Sequence, residues 1–325
     1  MKAFIPVAGS GTRLRPHTLS SPKVLLNVAG KPILGHILDK LVSDGIDDVI
    51  IVIGEMGEMI KQYVSENYKI KVDYIVQRER KGLAHTVYIA QEKISKDESL
   101  LIILGDTIYD VDLNSVFLLP HSSIGVKQVD DPRRFGVVEI KNGFITKLIE
   151  KPHTPHSDLA IVGLYSIKNT SKLISSVNEL IEKNITTNGE YQLTDAIQIM
   201  INHGEKISTF AVDGWYDCGK SETILSTNRI LLRKIGHNNA IDGNLILPPV
   251  SISPKAKIIN SIIGPFTTVD ENTKIEDSIV RNSIIGKNAN IEKATLDNSI
   301  VGNFAMIKKN FNSINIGDYS EIDFY

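Results

Sequence analysis

Residues 8–23 read AGSGTRLRPHTLSSPK. They join a glycine-rich turn to two cationic side chains, Arg13 and Lys23, directly after the apolar run KAFIPV. Glycines let backbone N–H groups close around phosphate oxygens. Arginine offers a planar fork to an oxyanion, and lysine a compact point charge. These types in this order point to a phosphorylated ligand. Two familiar phosphate motifs do not describe the loop: it holds no GxxxxGK[ST] string, and GxGxxG fails because Leu14 stands at its last glycine position. An ordinary tight turn would account for Gly9 and Gly11 but leaves Arg13 and Lys23 unexplained. An acidic candidate, Asp106, closes the run LLIILGD, at a strand end where α/β sheets gather ligands. The same residue type also serves turns and caps.

The bulk composition narrows the ligand. The 325 residues carry 36 Lys+Arg against 38 Asp+Glu, a formal net charge of −2, so the basic surplus of a general nucleic-acid binder is missing. A local basic cluster suits a small phosphorylated molecule instead. One cysteine, Cys218, excludes an internal disulfide and fits a reducing compartment. No apolar run approaches the ~20 residues that span a bilayer. A soluble, cytoplasmic protein is expected.

The elements that must position these side chains fall into two rhythms. Over residues 1–236, the runs KAFIPV, DDVIIVIG, VDYIVQ and SLLIILGD read as buried strands. ILGHILDKLVSDG, MGEMIKQYVSENY and AHTVYIAQEKI alternate with them and place apolar residues three and four apart, as helices do. Gly45 fits the C′ position of the first. Such alternation predicts a three-layer α/β domain with a mainly parallel sheet. IGVKQVDD, FGVVEIKNGFITKLIEK and LAIVGLYSI add strands, making the sheet mixed, with Asn142 and Gly143 as a hairpin turn. LTDAIQIMINHG and SETILSTNRILLRK read as helices.

After a linker at 237–243, residues 244–325 keep a different period. Ile252, Ile258, Ile263, Val269, Ile275, Val280, Ile285, Ile291, Leu296, Val301 and Ile307 recur every five or six residues, with Gly264, Gly286 and Gly302 each directly after an isoleucine or valine. Neither 3.6 nor 2 fits this spacing. A coil of three short parallel strands per turn does, its aliphatic side chains stacked inward. The segment from Ile316 and Gly317 to Ile322 adds one more turn. The pattern resembles the hexapeptide-repeat family of left-handed parallel β-helices.

GxGTRLxPxT followed by PK closely resembles the signature of the sugar-phosphate nucleotidylyltransferases, and further matches follow in order over roughly residues 1–235. The resemblance implies a Rossmann-like nucleotidyltransferase domain of GT-A type. It also implies a nucleotide site at Ala8, Gly9, Ser10, Gly11, Thr12 and Arg13. In VQRERKGLAH, Gln77 would face a pyrimidine edge and Gly82 would let the backbone approach the base. FGVVEI aligns Gly136 with the sugar. LIEKP aligns Glu150 with sugar hydroxyls and Lys151 with the sugar phosphate, and AIVGLY aligns Val162 with the sugar. Asp106 and Asp217, the latter in WYDCG, would hold Mg²⁺. Arg13, Lys23, Asp106, Lys151 and Asp217 together make up the implied catalytic set.

The implied reaction explains these residue types. A sugar 1-phosphate attacks the α-phosphorus of a nucleoside triphosphate and pyrophosphate leaves. The nucleophile has a second pKa of about 6, so it needs no general base at pH 7. The difficulty is gathering several negative charges in line, which cations and positioning solve. Two sets of features pull the nucleotide assignment apart: IPVAG, with Ala8, resembles UTP–glucose-1-phosphate uridylyltransferases and GLAH resembles N-acetylglucosamine-1-phosphate uridylyltransferases, whereas DPRRFGVVE and EKP resemble long-form glucose-1-phosphate thymidylyltransferases. The expected partners are therefore dTTP or UTP, with dTTP preferred, and a hexose 1-phosphate, in a homo-oligomer. Three rivals differ in kind. A GT-A glycosyltransferase would use the Asp110, Val111, Asp112 triplet but leaves GxGTR and PK without a role. An acyl-transferring coil would need a histidine base, and none follows His237. A non-catalytic nucleotide-sugar sensor would lack some of the five charged residues. The coil is expected to be a scaffold, and His17 and Cys218 to be structural.

Overall fold

The computed structural model describes residues 1–235, 241–308 and 315–322. The chain divides into two compact units. One comprises Met1–Gly9 and Ile37–Trp215, the other Ser10–His36 and Tyr216–Tyr325. Of the linker expected at 237–243, residues 237–240 lie outside the described residues. The grouping by packing is not the grouping by chain order: the glycine-rich loop from Ser10 onward belongs with the C-terminal coil.

In the first unit, nine strands form one mixed sheet. They are β1 (Lys2–Pro6), β2 (Asp48–Ile53), β3 (Lys71–Val76), β4 (Leu100–Ile103), β5 (Ser122–Gln128), β6 (Gly136–Lys141), β7 (Phe144–Glu150), β8 (Leu159–Ile167) and β9 (Ile207–Ala211). The order β7-β6-β8-β4-β1-β2-β3 carries a parallel core, β4-β1-β2-β3, with β8 antiparallel to β4. β5 pairs with β8, and β9 lies parallel to β5. The predicted strands all form; most of their Val- and Ile-rich runs are buried, β2 almost throughout, whereas the edge strand β3 is only partly covered. Asn142 and Gly143, at φ 54° and 80°, make the expected two-residue turn between β6 and β7.

The helices are α1 (Ile33–Ser43), α2 (Gly57–Asn67), α3 (Leu83–Ala90), α4 (Leu113–Phe117), α5 (Thr170–Glu182), α6 (Leu193–Asn202) and α7 (Ser221–Ile235). Gly45 does end α1: Ile46 N–H returns to Leu41 O at 2.9 Å. The sequence reading lacked α5. Its serines and Asn169 obscure the pattern, yet Leu173, Ile174, Val177 and Leu180 are buried at helical spacing, and Asn169 Oδ1 caps the Lys172 amide at 3.3 Å. Among the described residues, no helix is long and apolar enough to cross a membrane.

In the second unit, the period near six is a left-handed parallel β-helix. Its short strands stack into three parallel sheets of four, five and five strands. Ile258, Ile275, Ile291 and Ile307 lie in register as one column. Ile252, Val269, Ile285, Val301 and Ile316 form a second, and Ile263, Val280 and Leu296 a third. All eleven aliphatic residues named from the sequence belong to this core. Each such burial is worth about 1.5–3 kcal/mol, so the columns rather than the two- or three-residue strands hold the coil. The further turn also forms, with Ile322 paired in register to Ile307.

Candidate active site

Of the residues the sequence singled out, Ala8, Gly9, Gln77, Gly82, Asp106, Gly136, Glu150, Lys151 and Val162 belong to the first unit. Ser10, Gly11, Thr12, Arg13, Lys23 and Asp217 belong to the second.

Ala8 follows β1 and is 6% exposed, its methyl within the core of the first unit. A Cβ on Gly54 would sit 2.9 Å from Ala8 O, so the chain passes Gly54 too closely for a larger residue there. The close approach thus demands glycine at position 54, while the Ala8 methyl is simply buried in the core. Gly9 is the opposite case. It is exposed, and a Cβ there would meet nothing within 4 Å, so the protein's own packing does not demand glycine.

Gln77 ends the β3 edge and is 8% exposed. Its amide nitrogen lies 3.2 Å from His85 Nδ1, which fixes the orientation of the carboxamide. Burial, with Lys81 nearby, pushes the His85 imidazole below its ordinary pKa, so the neutral ring is favoured as the partner of that amide. Gly82 has φ +101°, and a Cβ would come within 2.9 Å of Tyr191 N and closer still to Tyr191 O. The Tyr191 main chain is itself pinned: its N–H donates to Lys81 O at 2.8 Å, and its O accepts from Ala84 N–H at 2.9 Å. Gly82→Ala must therefore strain the backbone or part this bridge. A loss of about 1–3 kcal/mol is expected, together with a raised KM for nucleotide. Thermal melting and steady-state kinetics check it, and an unchanged Tm would contradict it.

The residues that the resemblance aligns with the sugar come together within the first unit. Gly136 opens β6 and faces Glu150, the last residue of β7, in register. A Cβ on Gly136 would lie 3.1 Å from Glu150 Oε2. The same Oε2 accepts from Thr194 Oγ1 at 3.3 Å. Lys151 is exposed, its Nζ 3.3 Å from Glu150 Oε1, and its amide donates to Phe135 O at 3.1 Å. Trp215 packs edge-on against Phe135 with centroids 4.8 Å apart, while its buried indole Nε1 has no hydrogen-bond partner among the described residues. Val162 is 2% exposed. It lies where the β8–β5 ladder shifts register between Ile161 and Tyr165, an irregularity common beside ligand sites.

Asp106 is half-buried in the turn between β4 and a short strand, Thr107–Asp110. Asp112 of the acidic triplet is an N-cap instead, accepting the Asn114 amide at 3.1 Å and the Ser115 hydroxyl. Asp112 thus has a structural role at the start of α4.

In the second unit, Gly11 has φ 61° and caps a turn of 3₁₀ helix, Thr12–Leu14. Its carbonyl accepts from Thr18 Oγ1 and from Leu14 N–H, each at 2.8 Å. Arg13 is exposed and Lys23 half-buried. Asp217 Oδ1 accepts the Gly219 amide at 2.8 Å, and Asp217 O accepts from Thr227 Oγ1 of α7 at 3.2 Å. Cys218 is fully buried, as expected of a structural residue. Among the described residues, no three His, Cys, Asp or Glu side chains cluster as a metal-binding group.

The string GWYDCGKS at 214–221 also fits GxxxxGK[ST]. The structure gives it no phosphate cradle. Its first four residues are the strand Gly214–Asp217, α7 begins at Ser221, and Ser221 Oγ is taken by Asn315 Nδ2 at 3.0 Å.

His17 is 2% exposed, with Nε2 hydrogen-bonded to Asn315 Oδ1. Burial lowers its pKa, against the smaller opposing effects of Asn315 and Asp318. The folded protein thus favours the neutral ring, while the unfolded chain takes a proton near the ordinary value of about 6.5. Stability is complete above that pH and falls as pH drops through it, until the folded pKa is reached. Tm should therefore decline more steeply below about pH 6.5 in the native protein than in His17→Gln. Parallel profiles would contradict this.

A Streptomyces griseus protein named glucose-1-phosphate thymidylyltransferase is 31% identical, over 88% of this chain and 87% of its own length. The UTP–glucose-1-phosphate uridylyltransferase AglF of Haloferax volcanii is 35% identical, over 66% of this chain and 89% of its own. A UDP-glucose pyrophosphorylase solved with UDP-glucose shares the fold, with TM-score 0.63 at 24% identity, covering 72% of this chain and 98% of that one. Residues 2–234 match the Nucleotidyl transferase family as a whole, with the glycine-rich loop, Asp106, Lys151 and Asp217 inside that span, and the chain belongs to that family.

Proposed function

We propose that this nucleotidyltransferase joins a hexose 1-phosphate to a pyrimidine nucleoside triphosphate and releases pyrophosphate, with glucose 1-phosphate and dTTP as its preferred pair. The observation that carries the sugar half is the corner of Gly136, Glu150 and Lys151. A carboxylate held by Thr194 offers an acceptor to sugar hydroxyls, and an exposed ammonium beside it meets a phosphate dianion. The thymidylyltransferase relative, similar through most of the chain, supports dTTP. UTP is the second reading, supported by the more identical uridylyltransferase and by a Gln77 carboxamide that suits either base.

The residues divide the work by charge. Arg13 and Lys23 neutralise the departing pyrophosphate, and Lys151 docks the incoming sugar phosphate. Gly9 and Gly11 bring main-chain N–H groups to the triphosphate, and the open space at Gly9 suits close approach of a ligand. Asp106 and Asp217 are hard oxygen donors of the kind Mg²⁺ selects. Asp217 commits Oδ1 to the Gly219 amide, which orients the carboxylate and leaves Oδ2 as a second acceptor. Mg²⁺ held there would supply charge neutralisation on the phosphates. No side chain is asked to remove a proton from the nucleophile.

Turnover of dTTP, UTP, ATP and GTP against a set of hexose 1-phosphates tests the assignment. The highest kcat/KM is expected for dTTP with glucose 1-phosphate. A higher value for UTP would transfer the assignment to the second reading, and no turnover with any pair would overturn both.

A further inference from the structure

The arm of the glycine-rich loop, residues 16–20, lies on the last described coil of the β-helix. His17 Nε2 donates to Asn315 Oδ1, and Ser20 Oγ donates to Asp318 Oδ2. Between these bonds a Cβ on Gly317 would sit 2.6 Å from Pro16 Cβ, so backbone meets ring with no side chain in the way. Both coil residues are tied from behind. Asn315 Nδ2 donates to Ser221 Oγ at the start of α7 at 3.0 Å, and Asp318 Oδ1 accepts the Asn303 amide of the preceding coil at 2.7 Å.

The arm connects inward to the phosphate-binding turn. Thr18, next to His17, donates to Gly11 O at 2.8 Å, and its methyl lies where a Gly11 side chain would point. Under the loop is a cavity of about 60 Å³, lined in part by His17, Ser21, Asn27, Asp270 and Asp318. It is room for a few waters. With this void below, whose lining mixes apolar side chains such as Leu14, Ile224 and Ile300 with the polar ones, this part of the loop is held by the hydrogen bonds of its arm as well as by packing.

We propose that Asn315 and Asp318 are positioning residues for the nucleotide. By clasping His17 and Ser20 they keep Gly11, Arg13 and Lys23 in the shape that receives a triphosphate. This role rests on the reading of the loop as a nucleotide site, and it makes the β-helix part of that site rather than a detached scaffold. Neither residue touches substrate. Each acts through the loop, where a displacement of about 1 Å can lower rate by about 10²-fold.

The test uses the full chain carrying Asn315→Ala, Asp318→Ala, Ser20→Ala and the Ser20/Asp318 double variant. Asn315→Ala and Asp318→Ala are expected to raise the nucleotide KM about tenfold while leaving the sugar-phosphate KM within about twofold. The double variant should be no worse than Asp318→Ala alone, because both remove one bond. Hydrogen exchange at the amides of residues 11–20 should speed up in every variant, whether or not the protein turns over. An active wild type whose variants keep the native nucleotide KM would overturn the proposal. So would equal rises in both KM values, which mark general damage. A wild type inactive with every pair would overturn the functional reading instead, and unchanged exchange at residues 11–20 would then refute the clasp by itself.

Discussion

Asp217→Asn is expected to lower turnover by about 10²–10³-fold while leaving Tm within about 2 °C of the native value. The structure explains why the two effects separate. Asp217 makes two contacts that hold its turn: Oδ1 accepts the Gly219 amide, and the main-chain O accepts the Thr227 hydroxyl. An asparagine keeps the side-chain acceptor and cannot alter the main-chain one. The side chain has the same size, and it is only half-buried. What is lost is the negative charge that a hard dication requires of its ligands. Turnover at saturating substrates and a melting curve decide the matter together. Near-native turnover would mean that Asp217 is no metal ligand. A collapsed Tm would mean that its charge serves the fold.

Asn228→Ala should have the largest effect on stability. Asn228 is fully buried on α7, and its carboxamide makes three hydrogen bonds. Its Oδ1 accepts the Ala29 amide at 2.8 Å and the Thr268 hydroxyl at 2.7 Å, and its Nδ2 donates to Phe266 O at 3.2 Å. One side chain thus fastens the segment after Lys23, helix α7 and an early coil of the β-helix. Alanine would orphan the Ala29 N–H and the Thr268 hydroxyl in a buried place, at about 1–3 kcal/mol for each group. A loss of about 3 kcal/mol or more follows, read from the urea midpoint at constant m-value. Because Thr227 is the neighbouring residue and holds Asp217 O, activity should fall as well. A change below about 1 kcal/mol would show that water satisfies the orphaned groups.

Much of this was legible in the sequence. The parallel core announced itself by Val- and Ile-rich runs such as β2, which is buried on both faces. The β-helix was legible residue by residue, since its core repeats at a period that only a three-sided coil satisfies. The helix α5 was also legible, because Leu173, Ile174, Val177 and Leu180 keep helical spacing, but interleaved serines blurred it. The clasp was not legible. His17 with Asn315 and Ser20 with Asp318 are single polar contacts across 298 residues, and no periodicity marks such a pair. The close approach of Gly54 to the Ala8 backbone, which demands glycine at position 54, carries no sequence signal of its own. Gly82, expected to admit a base, has a demand of its own from Tyr191. Asp112 was an ambiguous acid that the structure resolves as a helix cap.

Pyrophosphate release from dTTP or UTP in the presence of Mg²⁺, measured with and without glucose 1-phosphate, tests the central claim most directly. Release is expected only when the sugar phosphate is present, with one nucleotide-sugar formed for each pyrophosphate. Release without the sugar phosphate, or none with any hexose 1-phosphate, would contradict it.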